Sequence, residues 1–427
     1  MKSQNNAMKK YEFLKKYKKS FFLLFTILIA SSSYGQTNQK LPKWKKGELD
    51  IYQISYGLGN SCYCILPDGT TLLIDAGAIN KNYPRSVSPI ALPDSNQSAG
   101  MHIVEFIKSV MPDINHQIDY ALITHFHDDH MGFPGKYNKI SKNGKYRLTG
   151  ITEVGEYIQI KTLLDRGWPD YNYPQKMNSD MVENYRNFIA YKQTTSGLKM
   201  MRFQPGMKDQ IKLIKDYEKY HPVFSIRNIV GNGMVWTGEG SNVRPLFPDS
   251  IPSRYVNQLF ENAASNAIKI NYGNFNYFNG GDIEGIVMPG VPDWLDVETP
   301  VSKVIGKVDV AVMDHHGYKN SENDAFLKRA RPYVFIVPAW ASVHPDSVVL
   351  KRILTENERT SPPYVFSTSL LKDNKEMNKA LWPKVTSKEG HILIRVQPGG
   401  RLFNVFVLDD HNILHPVIGQ YGPFICK

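Results

Sequence analysis

The stretch "IDYALITHFHDDHMGF", residues 118–133, sets an apolar run directly before three histidines and two aspartates packed into residues 125–130. The run has the length and the β-branched and aromatic content of a buried strand, so the polar cluster lies at that strand's carboxyl end. His125 and His127 are two apart and face one side of an extended backbone. Asp129 and His130 follow as a turn begins and converge on a second point nearby. Imidazole nitrogens and carboxylates suit zinc, iron or manganese, and two ligand pairs this close together suit two ions better than one.

Working outward, "DIYQISYG" (50–57) and residues 61–66 read as strands. "PDGTTLLIDAG" (67–77) adds an Asp-Gly turn and a further strand, making a hairpin. "MHIVEFIKSVMPD" (101–113) has apolar residues at 103, 106, 107, 110 and 111, which is helical spacing. "EYIQIKTLLDRG" (156–167) is a strand and loop. Residues 170–222 change character: "DMVENYRNFIAYKQ" (180–193) and "KDQIKLIKDYEKY" (208–220) look helical, and we read the stretch as a helical insertion. Strand signals return at 224–230, 266–273, 275–282, 307–317 and 333–339, and residues 391–409 read as two strands around a Pro-Gly-Gly turn. Strands in both halves with helices between them predict an α/β fold with two packed sheets and helices outside.

Of 427 residues, 42% are hydrophobic and 21% charged, ordinary values for a chain with a large core. Residues 1–20 carry seven lysines against one acid and precede "FFLLFTILIA" (21–30) and "SSSYGQ" (31–36). That is the pattern of a secretory signal peptide over residues 1–35, cleaved after Gly35 to leave a single domain, 36–427. The ten-residue apolar run is short of the roughly 20 residues that span a bilayer. The expected location is therefore periplasmic or secreted. Six of the formal +11 charges belong to the first 20 residues, so the rest is mildly basic and compatible with an anionic substrate. Cys62, Cys64 and Cys426 make no disulfide framework. Cys62 and Cys64 are expected on opposite faces of a strand, unbridged.

HxHxDH at 125–130 resembles the signature of the metallo-β-lactamase superfamily. "NSCYCILPDGTTLLIDAG" (60–77), a helix, then the 118–133 stretch are similar to the first half of its fold. "NYFNGGD" (276–282), "IGKVDVAVMDHHGYKNS" (305–321) and "VFIVPAWASVHPDSVVLKRI" (334–353) resemble the second half, particularly of the branch containing the ComEC hydrolase domain and phosphorylcholine esterase. The resemblance covers about 48–170 and 222–410. It implies an αββα sandwich holding two divalent ions, zinc before manganese or iron. His125 and His127 would bind the first ion, Asp129 and His130 the second, and Asp282 would bridge them. His316 would complete the second site in preference to its neighbour His315, because a His-His pair on a strand sends its rings to opposite faces. Asp129 and His315 are then the expected catalytic groups.

Around them, Asp75 resembles the aspartate that orients a ligating imidazole, and His344 a residue at the site's rim. Arg166 is read as a contact to an anionic group or a surface salt bridge, and Trp168, Tyr171 and Tyr173 as a pocket wall. One departure matters: the further histidine that the family places between the motif and the bridging aspartate has no clear counterpart. His221, Asn262, Asn266 or water are left for the first ion's third ligand. The expected activity is hydrolysis of a phosphodiester, in a small molecule or the cell envelope, with nucleic acid also open. Lactam, lactone or thioester hydrolysis and metal binding without turnover are the alternatives.

Overall fold

A computed structural model describes residues 39–80, 91–256, 258–285, 289–355 and 361–426. The segment expected to be a signal peptide, 1–35, lies outside them. In the first half the strands are β1 (Leu49–Gln53), β2 (Cys62–Ile65), β3 (Thr71–Ile74), β4 (Gln117–Leu122), β5 (Gln159–Asp165) and β6 (Lys199–Arg202). In the second half come β7 (Phe224–Gly231), β8 (Met234–Trp236), β9 (Val243–Pro245), β10 (Ala267–Tyr272), β11 (Phe275–Asn279), β12 (Val310–Val312), β13 (Val334–Val337) and β14 (Tyr364–Ser367). The chain ends in β15 (His391–Val396), β16 (Leu402–Leu408) and β17 (Val417–Ile425).

They form a nine-stranded sheet, ordered β17-β16-β15-β1-β2-β3-β4-β5-β6, and an eight-stranded sheet, β14-β13-β12-β11-β10-β7-β8-β9. Alternation along each strand builds the layers. In β3, Leu72 and Ile74 enter the core shared by the two sheets, while Leu73 packs outward against Ile103, Val104 and Ile107 of the helix Ala99–Val110. In β13, Val334 and Ile336 face the shared core, and Phe335 and Val337 pack with Val301 and Ile305 of the helix Glu298–Ile305. The result is an αββα sandwich.

Two expectations need correction. Cys62 and Cys64 share one face, as residues two apart in a strand must, with sulfurs 3.9 Å apart and no bond. The stretch 170–222 is not a purely helical insertion. Asp180–Ser196 is a helix, started by the Ser179 hydroxyl and ended at a left-handed Gly197, but β6 then joins the sheet parallel to β5. Of 208–220 only Tyr217–Tyr220 is helical. Ile211 and Leu213 are two apart, and both enter the core between the sheets, which an extended segment allows and a helix does not.

The parallel strands position the site. β3, β4, β5 and β6 run parallel in one sheet, as do β11, β12, β13 and β14 in the other. Loops after β3, β4, β11, β12 and β13 therefore leave at one edge, where α/β sheets gather ligands.

Candidate metal centre

Asp75 follows β3, Thr124 to His130 follow β4, Asp282 follows β11, and His315 and His316 follow β12. Backbone bonds hold the histidine turn in place: Asn60 N–H donates to Asp129 O, Ala76 N–H to His130 O and Ala78 N–H to Asp128 O. Gly77 lies so close that an added Cβ would sit 1.9 Å from Asp129 O. Only glycine fits there.

Two groups result. Asp129, His130, Asp282 and His316 form one, His125, His127 and Asp282 the other, each with ligand-type atoms within 4.8 Å of one another. In the first of these, His130 Nε2 lies 3.2 Å from His316 Nε2 and 3.1 Å from Asp282 Oδ1. His316 Nε2 is 3.1 Å from Asp129 Oδ2 and 3.6 Å from Asp282 Oδ2. In the second, His125 Nε2 is 3.0 Å from His127 Nδ1 and 3.7 Å from Asp282 Oδ2. Asp282 thus presents its carboxylate to both.

The hydrogen bonds behind these rings test whether a cation fits. His130 Nδ1 is 2.8 Å from Asp75 Oδ2, and His316 Nδ1 is 2.9 Å from the Pro338 carbonyl. Both partners accept only, so each Nδ1 carries the hydrogen and each neutral ring turns a lone pair inward at Nε2. Two lone pairs and two carboxylates then face one point, and the Trp340 indole N–H lies 3.5 Å from His316 Nε2. Ligands about 2.0–2.1 Å from a tetrahedral zinc are about 3.3 Å apart, the scale of the spacings found. The donor set fits a divalent cation.

Without one, protons would take its place. Burial lowers His130 and His316, but the facing carboxylates, Asp282 foremost, outweigh it. His130 rises well above the ordinary imidazole value and His316 to about 9. Burial raises Asp129 and Asp282, and the opposing imidazoles overcome it and hold both well below the carboxylate range. His125 behaves differently. Burial and the neighbouring His130 push it well below 6.5, so it stands neutral.

Asp75 binds the site's scaffold with both oxygens: Oδ1 accepts from Thr124 N–H, and Oδ2 from the Thr124 hydroxyl, His130 Nδ1 and Asn60 Nδ2. Arg166 makes no surface salt bridge. It is 1% exposed, pairs through Nε and Nη2 with Glu261, and donates from Nη1 to Asn232 and the Tyr173 carbonyl. The same Glu261 accepts the backbone N–H of Phe126, between the two histidines of the first pair. His344 stacks on His316, with centroids 4.6 Å apart. Tyr171 donates to buried Asp165, and Trp168 and Tyr171 line a groove with Arg186.

His315 and His316 do not lie on a strand; both have left-handed backbone, φ 47° and 56°. His316 joins the ligand group, while His315 Nε2 stands 3.9 Å from Asp282 Oδ2. His315 Nδ1 is 2.9 Å from Asn320 Oδ1, and Asn262 Nδ2 approaches its Nε2 at 3.3 Å. His221 is apart from the site, stacked on Tyr217 in a surface groove. Asn266 donates to the Ile123 carbonyl and Asn262 to Glu284. No third histidine joins His125 and His127 among the described residues.

Sequence reading missed Thr124, Glu261 and Glu284. Thr124 stands next to His125, so its place at a strand's end was available as a signal. Glu284 stands two residues after Asp282, so its nearness was available in the same way, whereas Glu261 carries no signal, since only folding brings it near. Burial pushes the Glu284 carboxyl up to about 8, against hydrogen bonds from Asn262 and Asn320.

No family model matches the chain, and no curated protein does. Among solved structures, the chain is similar to a mutant of the CmlA beta-hydroxylase, with 12% identity over 84% of this chain and a TM-score of 0.38. It spans 55% of the length of that protein. It is similar to YhfI from Bacillus subtilis, a metallo-beta-lactamase fold protein, at 13% identity over 82% of this chain and all of that one, with a TM-score of 0.36. Human tRNase Z, short form, matches at 12% identity over 67% of this chain and 91% of its own, with a TM-score of 0.31.

Proposed function

We propose that the protein is a metal-dependent hydrolase with a two-cation centre, acting on phosphodiesters of a small molecule or the cell envelope. The observation that carries the reading is the position of Asp282, whose carboxylate faces both histidine groups at once. His125, His127 and Asp282 would hold one ion, and Asp129, His130, His316 and Asp282 the other, with zinc the first expectation and manganese or iron the alternatives. Bound there, such a pair supplies Lewis acidity toward the oxygens of an in-line displacement and acidifies a water.

The chain's own residues do the rest. Asp75 and the Pro338 carbonyl fix the His130 and His316 tautomers with their lone pairs inward. Glu261, paired with Arg166, pins the backbone between His125 and His127. His315 stands at the rim with Nδ1 oriented by Asn320, and its Nε2 would exchange a proton with a leaving group. The phosphodiester preference rests on the motif resemblance and on an anion-compatible charge balance. Export to the periplasm or beyond is part of the proposal and rests on the N-terminal pattern alone. Among the described residues no helix is long and apolar enough to cross a membrane.

An activity panel on the metal-loaded protein tests the reading: bis-p-nitrophenyl phosphate, p-nitrophenylphosphorylcholine, DNA, a lactone and a cephalosporin. Cleavage of a phosphodiester that is lost in His127→Ala and Asp282→Ala supports it. Hydrolysis of the lactone or cephalosporin alone moves the substrate class, and bound metal with no turnover on any substrate overturns the enzymatic reading.

A further inference from the structure

Ligand-type side chains also gather below the histidine centre. Glu298 of the helix Glu298–Ile305 meets Asp314 and Glu322, which bracket the loop carrying His315 and His316. One oxygen from each lies within 4.8 Å of the others, and all three residues are 0% exposed. Anions withdrawn from water are costly unless a cation or protons neutralise them.

The backbone satisfies part of this group. Glu322 and Asn323 N–H donate to Glu298, and Asp314 N–H donates to Glu322. Asp314 is different: among the described residues neither of its buried carboxylate oxygens accepts from an N–H or hydroxyl donor. It meets the Glu298 carboxyl, so either a shared proton or a cation must hold the two together. The cradle is also tight against the segment bearing Asp282. A Cβ at Gly280 would sit 2.0 Å from Asp314 Oδ1, and one at Gly285 2.0 Å from Glu298 Oε2.

We propose that Glu298, Asp314 and Glu322 form a further cation site, distinct from the histidine centre, that takes a hard divalent ion such as calcium or manganese. The donors are all oxygen, and carboxylate sets select calcium, magnesium or manganese, whereas the mixed imidazole–carboxylate centre suits zinc. The ion's role is structural. It ties the loop of His316 to the helix of Glu298, directly beneath the segment of Asp282. That loop has three non-glycine residues with left-handed backbone, His315, His316 and Glu322, a conformation that persists only where its surroundings hold it.

The test uses the full protein with zinc saturating in every sample, to which calcium, manganese or magnesium is added. Metal analysis after desalting should find one non-zinc ion per chain, and the Tm should rise by about 3 °C at an ion concentration well above Kd. Glu298→Gln and Glu322→Gln should lose that ion and the Tm response while keeping zinc. Should both variants fail to fold, the wild-type stoichiometry and Tm response decide alone. Bound zinc with no second kind of ion and no Tm response overturns the proposal, as does a Glu298→Gln variant that is more stable and equally responsive. Zinc measured in the same samples separates this outcome from a failure of the histidine centre.

Discussion

The two histidine groups share Asp282 but are built to different standards. In the group of Asp129, His130 and His316, four side chains converge, none more than 9% exposed, and both imidazoles are anchored from behind by Asp75 or the Pro338 carbonyl. The group of His125 and His127 has three side chains, and its support is less direct. His125 Nδ1 is 3.2 Å from the Thr124 hydroxyl, and Glu261 holds the intervening backbone rather than a ring. His127 is only partly buried. Partners that fix the tautomer and orientation of a ligating imidazole raise its affinity for metal. The comparison therefore predicts one firmly held ion and one that exchanges.

The largest effect should come from the residue common to both. Asp282→Ala should reduce binding at both positions and lower hydrolysis by more than the roughly 100-fold that loss of a supporting partner costs. Calorimetry with zinc checks it; unchanged stoichiometry would show that the groups do not share the carboxylate. Next, single ligands should separate the groups. His130→Ala should leave the protein with only a weak site, whereas His127→Ala should keep one tight ion per chain. Equal losses in metal analysis would erase the contrast.

Supporting residues should act one group at a time. Asp75→Asn should weaken the ion at His130 by about 10–100-fold. Glu261→Gln should act at the His125–His127 position by less, since it touches the backbone there and also leaves buried Arg166 with a poorer partner. The smallest effect concerns order of release. Ligating nitrogens must be deprotonated, so falling pH favours proton over cation and affinity drops. As pH is lowered or a chelator added, ions should leave in two stages, with the His125–His127 ion first. A single stage for both, followed by zinc spectrophotometry, would break the comparison.

Much of this centre was readable from residue order. Ligand spacing in 125–130 lies within one strand end, so local geometry suffices to pair His125 with His127 and Asp129 with His130. The alternation in "TLLID" likewise placed Asp75 at a strand end. Reading failed where the backbone departed from the regular element assumed. His315 and His316 were placed on a strand, yet both take left-handed φ. Their separation, one ring beside His130 and the other at the rim, arises from that turn and from Pro338 and Asn320, which hold one ring each. The segment 208–216 failed for a related reason. Its lysines and isoleucines suit a helix, but Ile211 and Leu213 gain more by entering the core between the sheets.

By itself the sequence determined the layered fold and the kind of side chains that gather at its edge, because hydrophobic alternation and donor chemistry are properties of neighbouring residues. That Arg166 is spent on Glu261 and that Glu298 meets Asp314 were decided only in three dimensions. Those pairs are 95 and 16 residues apart in the chain, and the partner each charge meets depends on which strand ends the sheets bring to one edge.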